Sequence, residues 1–168
     1  MCHRCSGYYC IFHKVSFNIE KWKNLKNHIK EYLKTINTMQ LATSNQDIPW
    51  CCNVYFTFDN DLNIFFISMP TRKHSEDIRS NAKVALCFCK EHHKPFNMPN
   101  RGIQASGVCT EIPHKHEDFE KLSKFYLNRH PNSEQFMDSH YVYKIVPDKI
   151  VLFDEVNYEE NPWQTLDF

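Results

Sequence analysis

Thr71-Arg72-Lys73-His74 places a hydroxyl, a guanidinium, an ammonium and an imidazole on four consecutive residues. Together these groups suit an anion. Arg offers a planar fork of donors, Lys a point charge and Thr a hydroxyl. The apolar run Ile64 to Ile67 precedes them and ends abruptly in Ser68, with Pro70 following. Ser75 to Asn81 then reads as helix. A strand that delivers such a turn to a helix start adds free backbone N–H groups to the same site. An isolated Thr-Arg-Lys reads as a solvated basic turn, so the surrounding pattern carries the argument. His74 could contact the anion or cap the helix.

Other reactive residues carry less. Cys2, Cys5, Cys10 and His13 have the C-x2-C and C-x2-H spacing of a tetrahedral zinc site. The two halves are close together with little chain to fold around a metal, so residues 1–17 are expected to be a flexible leader and no metal ligand is assigned. Cys51, Cys52, Cys87, Cys89 and Cys109 sit in apolar strand-like segments and are expected to be reduced core thiols. His92 and His93 could ligate a metal or heme but fall in a polar loop, where histidines are usually solvated, and His114 and His116 lie near a helix start and are expected at the surface. No spacing justifies a catalytic base, a nucleophile dyad or a triad, so no catalytic residue is assigned.

The positioning elements follow from periodicity. Asn18 can cap a helix running to about Asn37, with Ile19, Trp22, Leu25, Ile29, Tyr32, Leu33 and Ile36 on one apolar face. Strands are expected over residues 39–43, 50–58 and 63–68, joined by the turns Asn45-Gln46-Asp47 and Asp59-Asn60-Asp61 into a meander. A short helix over Lys73 to Ser80 precedes strands at 84–89 and 102–111. Gly107, in mid-strand, marks a bulge or a close approach. Residues 90–101 form a loop. A second amphipathic helix covers His114 to Arg129, with a helical turn at 133–138. Strands at 141–146 and 149–153 close the sheet. Residues 157–168 form a polar-aromatic tail, loose or docked on a partner, in which Trp163 is expected to pack.

The chain has 168 residues, enough for one domain with a real core. Twenty basic residues balance twenty acidic ones. That argues against nucleic acid or an anionic membrane as partner. No apolar run approaches the roughly 18 residues of a spanning helix, and no secretory h-region opens the chain. A cytoplasmic location is expected. The fold class is mainly β (α+β). Six or seven antiparallel strands with only 3 glycines and peripheral helices fit a closed or split barrel, because closure removes edges.

Several of these segments, in order, carry a resemblance. They are Met39 to Thr43, Ile48-Pro49-Trp50, Ile64 to Ser68 before Thr71 to His74, Ile78 with Asn81, Val84 to Leu86, and Ile103 to Gly107. The set resembles the pyridoxamine 5′-phosphate oxidase-like family of FMN-binding split β-barrels over about Ile29 to Phe153. Glu160 to Gln164 is similar to the tails of small members. The resemblance implies a homodimer with two FMN sites at the subunit interface, and so an FMN-dependent oxidoreductase acting on an unidentified small molecule. It implies that Thr71, Arg72 and Lys73 hold the phosphate. Ile67 and Ser68 would be the strand end near the ribityl chain, and Cys52, Asn53 and Val54 the strand edging the ring. Gln104 would be a polar contact from the other subunit. The domain would span residues 18–156. The oxidases carry an Arg near the start of the second strand and a Lys near its end, where this chain has about Cys52 and Thr57. Their C-terminal substrate arginine and histidine have no match in residues 161–168. The alternative reading is a non-enzymatic flavin- or heme-binding protein on the same fold.

Overall fold

A computed structural model describes residues 7–90 and 99–168, with side chains from residue 20 onward. The chemistry considered for Cys2, Cys5, Cys10 and His13, and for His92 and His93, lies outside the described residues.

Helix α1 runs from Gly7 to Lys34. It therefore begins well before Asn18. No proline or glycine interrupts residues 8–17, so nothing local stops the helix there. Leu25, Ile29, Tyr32, Leu33 and Ile36 are buried as the periodicity requires. Trp22 is the exception among the described members of that face. It is 40% exposed, with Lys26 Nζ 4.9 Å above its ring.

Among the described residues, eight strands form one antiparallel sheet: β1 (Thr38–Asn45), β2 (Ile48–Tyr55), β3 (Thr57–Phe58), β4 (Ile64–Ser68), β5 (Lys83–Cys89), β6 (Arg101–Ile112), β7 (Tyr141–Asp154) and β8 (Trp163–Asp167). The order is β2-β1-β5-β6-β7-β4-β3, with β8 against β7. The expected meander is present, with its middle strand broken in two. Its second strand breaks at Phe56, so β2 pairs with β1 at one end of the order and β3 pairs with β4 at the other. Phe56 alone separates β2 from β3, so the two ends of the sheet meet in the chain and the sheet curls on itself as a split barrel. Phe56 is fully buried, 4.9 Å from the ring of Phe88.

The tail is also corrected. Residues 163–167 add a strand to this chain's own sheet, and Leu166 is buried there. The two expected C-terminal strands are one, β7, which passes through Pro147 because a bulge accommodates it. Gly107 pairs with Pro147 at that bulge, as its position predicted. A Cβ on residue 107 would stand 2.9 Å from Pro147 Cα and closer still to the Val146 carbonyl oxygen.

The β1–β2 hairpin turns on Gln46 and Asp47, both with positive φ (49° and 62°). This is the primed geometry that matches strand twist. Helix α2 (Lys73–Ser80) occupies its expected span, with Arg72 at its N-cap. Helix α3 (Phe119–Arg129) starts five residues later than expected. His114 instead turns its Nε2 to the carbonyls of Met137 and His140, 3.0 Å from each. A 3₁₀ turn over Pro131–Phe136 follows.

Candidate functional site

Strand β4 ends at Ser68, and four residues carry the chain to α2. That turn is held from three sides. Arg72 N–H donates to Met69 O at 3.1 Å. Ser75 Oγ donates to the same carbonyl at 3.0 Å. Arg79 Nη2 donates to Pro70 O at 2.7 Å, while its Nη1 donates to Glu111 Oε2 at 2.7 Å. Tyr143 OH reaches the same Glu111 oxygen at 2.7 Å. Among the described residues no side chain caps the N-terminus of α2, and Arg72 and Lys73 at the helix start are exposed.

Of the residues expected at an anion site, Thr71, Arg72 and Lys73 are all exposed at this turn. Arg72 makes no ion pair among the described residues. Lys73 Nζ pairs with Asp77 one helical turn on. Asp77 is fully buried and also accepts from Thr43 Oγ1 at 2.9 Å. Burial pushes the Asp77 carboxyl up. The hydrogen bonds from Lys73 and Thr43 and the Lys73 charge outweigh that and hold it below the usual carboxylate range.

His74 neither faces solvent nor serves as a cap. It is 8% exposed and bridges two strands. Its Nε2 lies 2.8 Å from Ser68 Oγ on β4, and its Nδ1 lies 3.3 Å from Cys52 Sγ on β2. Burial lowers its pKa, and the neighbouring Arg72 charge lowers it further against the opposing pull of Asp77. The ring is therefore a neutral linker with both nitrogens engaged, and it is not free to ligate a metal. Burial likewise pushes the Cys52 thiol up to about 11, with Cys51 adding to the effect. It remains a protonated thiol rather than a nucleophile.

The structure thus brings Ser68, Cys52 and the Thr71–Lys73 turn together through His74. Val54 shares the inward face of β2 with Cys52, and Ile67 is half-buried next to Ser68. Asn53 and Gln104 are not part of this cluster. They lie on the outer face of the sheet, in one register row that runs Asn53, Gln40, Cys87, Gln104. Sequence reasoning missed Thr43 and Asp77. The i, i+4 spacing of Lys73 and Asp77 was the available signal.

The outer face also corrects the view of the cysteines as core thiols. Cys51, Cys87 and Cys89 are exposed, Cys52 is half-buried, and Cys109 is buried. Strand alternation sends Cys87 and Cys89 to the side opposite Val84, Leu86 and Phe88. Tyr55 (59% exposed) and Trp163 (52% exposed) lie on the same outer face. No described helix is long and apolar enough to cross a membrane.

A curled antiparallel half-barrel with peripheral helices and a basic turn at a strand–helix junction defines a split β-barrel protein. The family model for pyridoxamine 5′-phosphate oxidase matches residues 25–153, and the chain belongs to that family. Similar solved structures include general stress protein 26 of Bacillus anthracis, at 18% identity and TM-score 0.64, covering 86% of this chain and 98% of that one. A heme binding protein of Mycobacterium smegmatis aligns at 10% identity and TM-score 0.66, over 81% of this chain and 55% of that one. An FAD-binding protein of Mesorhizobium loti aligns at 14% identity and TM-score 0.60, over 73% and 87%. At these identities the likeness is one of fold. No curated protein sequence matches the chain.

Proposed function

We propose that this chain binds FMN between two copies of itself and works as an FMN-dependent oxidoreductase on a small molecule. The observation that carries the reading is the Thr71–Lys73 turn. It offers, among the described residues, an unpaired guanidinium on Arg72 and a helix start without a side-chain cap, in a chain of this family. A phosphomonoester fits those groups. Bound flavin supplies hydride or electron transfer; the protein supplies orientation and electrostatics. In this reading His74 fixes the turn against β2 and β4. Ile67, Ser68, Cys52 and Val54 form the wall beside the ring and its chain. The backbone of Asn53 runs along the ring edge between Cys52 and Val54, and Gln104, on the outer face, serves the second copy's site.

The outer face supports the dimer. Tyr55, Trp163 and the thiols of Cys51, Cys87 and Cys89 make an exposed, weakly polar surface of the kind that partners cover. Exposed free thiols also suit a reducing, cytoplasmic compartment.

A second reading is a flavin- or heme-holding protein without turnover. Half-buried Cys52 and buried Thr57 favour it, because they stand at about the places where the oxidases of the resemblance carry cations. The test is FMN reconstitution followed by gel filtration with light scattering. The expected result is a dimer that retains flavin absorbance, with Tyr55→Asp yielding a monomer that has lost it. A monomeric wild-type chain free of flavin would overturn the proposal. Turnover with a reductant and an acceptor separates the enzyme from the carrier.

A further inference from the structure

Lys73 and Asp77 stand one turn apart on α2, and their pairing changes what the basic turn can offer. The Asp77 side chain has no exposure, whereas that of Lys73 is 43% exposed. Lys73 Nζ donates to one carboxylate oxygen, and Thr43 Oγ1 donates to the other at 2.9 Å. Among the described residues, Lys73 is the one cation paired with this buried charge. A buried carboxylate stripped of its cation is left uncompensated. The ammonium is therefore drawn back along the helix toward β1, away from the mouth of the turn. Among the described residues, Arg72 has no such tether.

We propose that Asp77 sets the charge of the anion turn by withholding Lys73, so that Arg72 is the cation that meets the ligand. The inference rests on the FMN reading above and departs from the sequence expectation that Lys73 holds phosphate. Asp77 acts through Lys73 as a positioning residue and does not itself touch the ligand. The turn is then matched to one phosphomonoester group gripped by a single guanidinium and the backbone N–H groups of α2.

The test is FMN titration of the full chain by flavin fluorescence, at two salt concentrations. Wild type is compared with Asp77→Asn, Lys73→Met, the double variant and Arg72→Ala. Asp77→Asn releases Lys73 toward the ligand. It is expected to tighten FMN by about tenfold, the scale of one added charge-assisted contact, and to steepen the loss of affinity with salt. The tightening should vanish when Lys73→Met is also present. Asp77→Asn protein that is folded by circular dichroism but binds FMN no better than wild type overturns the inference.

Should Asp77→Asn alone not fold, the charge-neutral double variant decides. A loss of less than about threefold, against more than about tenfold for Arg72→Ala, supports the inference; equal losses overturn it. A wild-type chain that binds no FMN brings down the flavin reading by itself. The same variants titrated with inorganic phosphate then judge the charge assignment, upheld by tighter binding in Asp77→Asn and overturned by its absence.

Discussion

The Ser68 hydroxyl, on the last residue of β4, lies 2.8 Å from Nε2 of His74, the second residue of α2. The other face of the same ring reaches Cys52 on β2. One imidazole therefore ties the strand end, the helix start and an edge strand together, and the exposed Thr71–Lys73 turn is stretched between those anchors.

This makes stability depend on pH with a definite sign. The unfolded histidine takes up its proton near 6.5, and the folded one only at lower pH. Proton uptake thus favours unfolding. The contribution of His74 is fully present above 6.5 and is lost as pH falls from there through the folded pKa. Urea unfolding on either side of pH 6.5 should show a steeper loss in wild type than in His74→Gln. At neutral pH the variant should be less stable by about 1–3 kcal/mol, because the Ser68 and Cys52 contacts are disturbed. Identical pH profiles for the two proteins would remove His74 from this role. Asp77, also held low, loses its contribution only below its usual value of 3.8, outside this window.

Asp154 closes β7 and organises the turn toward β8. Its buried carboxylate takes Arg101 Nη2 at 3.0 Å and accepts from the backbone N–H groups of Val156 and Asn157, each at 3.0 Å. Asp154→Ala leaves the Arg101 charge half-buried without a partner. We expect a loss of about 3–5 kcal/mol by chemical denaturation, reduced when Arg101→Met is added. A loss within 0.5 kcal/mol or so, the scale of an ordinary surface change, would show that this pair does not hold the tail.

Gly107→Ala puts a methyl group against the Val146 carbonyl and Pro147. The backbone of β7 is in the way, so it must shift. A cost of about 1–3 kcal/mol is expected from such overpacking, read as a fall in Tm. An unchanged Tm would mean that the bulge tolerates a side chain.

Much of the fold is legible along the chain because its period is local. The α1 stripe and the span of α2 depend on neighbours within a few residues, and a mid-strand glycine marks the bulge at Gly107 even though its partner, Pro147, lies on another strand. The basic turn at residues 71–73 is legible for the same reason, since composition and a strand–helix junction suffice to mark it. Trp22 shows the limit of periodicity. The stripe sets its direction, but whether anything lies there to cover it is decided by long-range packing.

The amino-acid sequence by itself determined most of the elements, the family and the cationic turn, since each is written in short-range pattern or ordered motif. The tertiary structure alone decided that β2 breaks at Phe56 so that the sheet closes on itself, and that β8 completes the edge of β7. It also decided that His74 spans to Cys52, 22 residues away, and that Asp77 meets Thr43, 34 residues away. Those pairings depend on strand register and on which face of the sheet α2 covers. Neither leaves a trace in local spacing, and a shift of one residue would turn the same side chains to the opposite face.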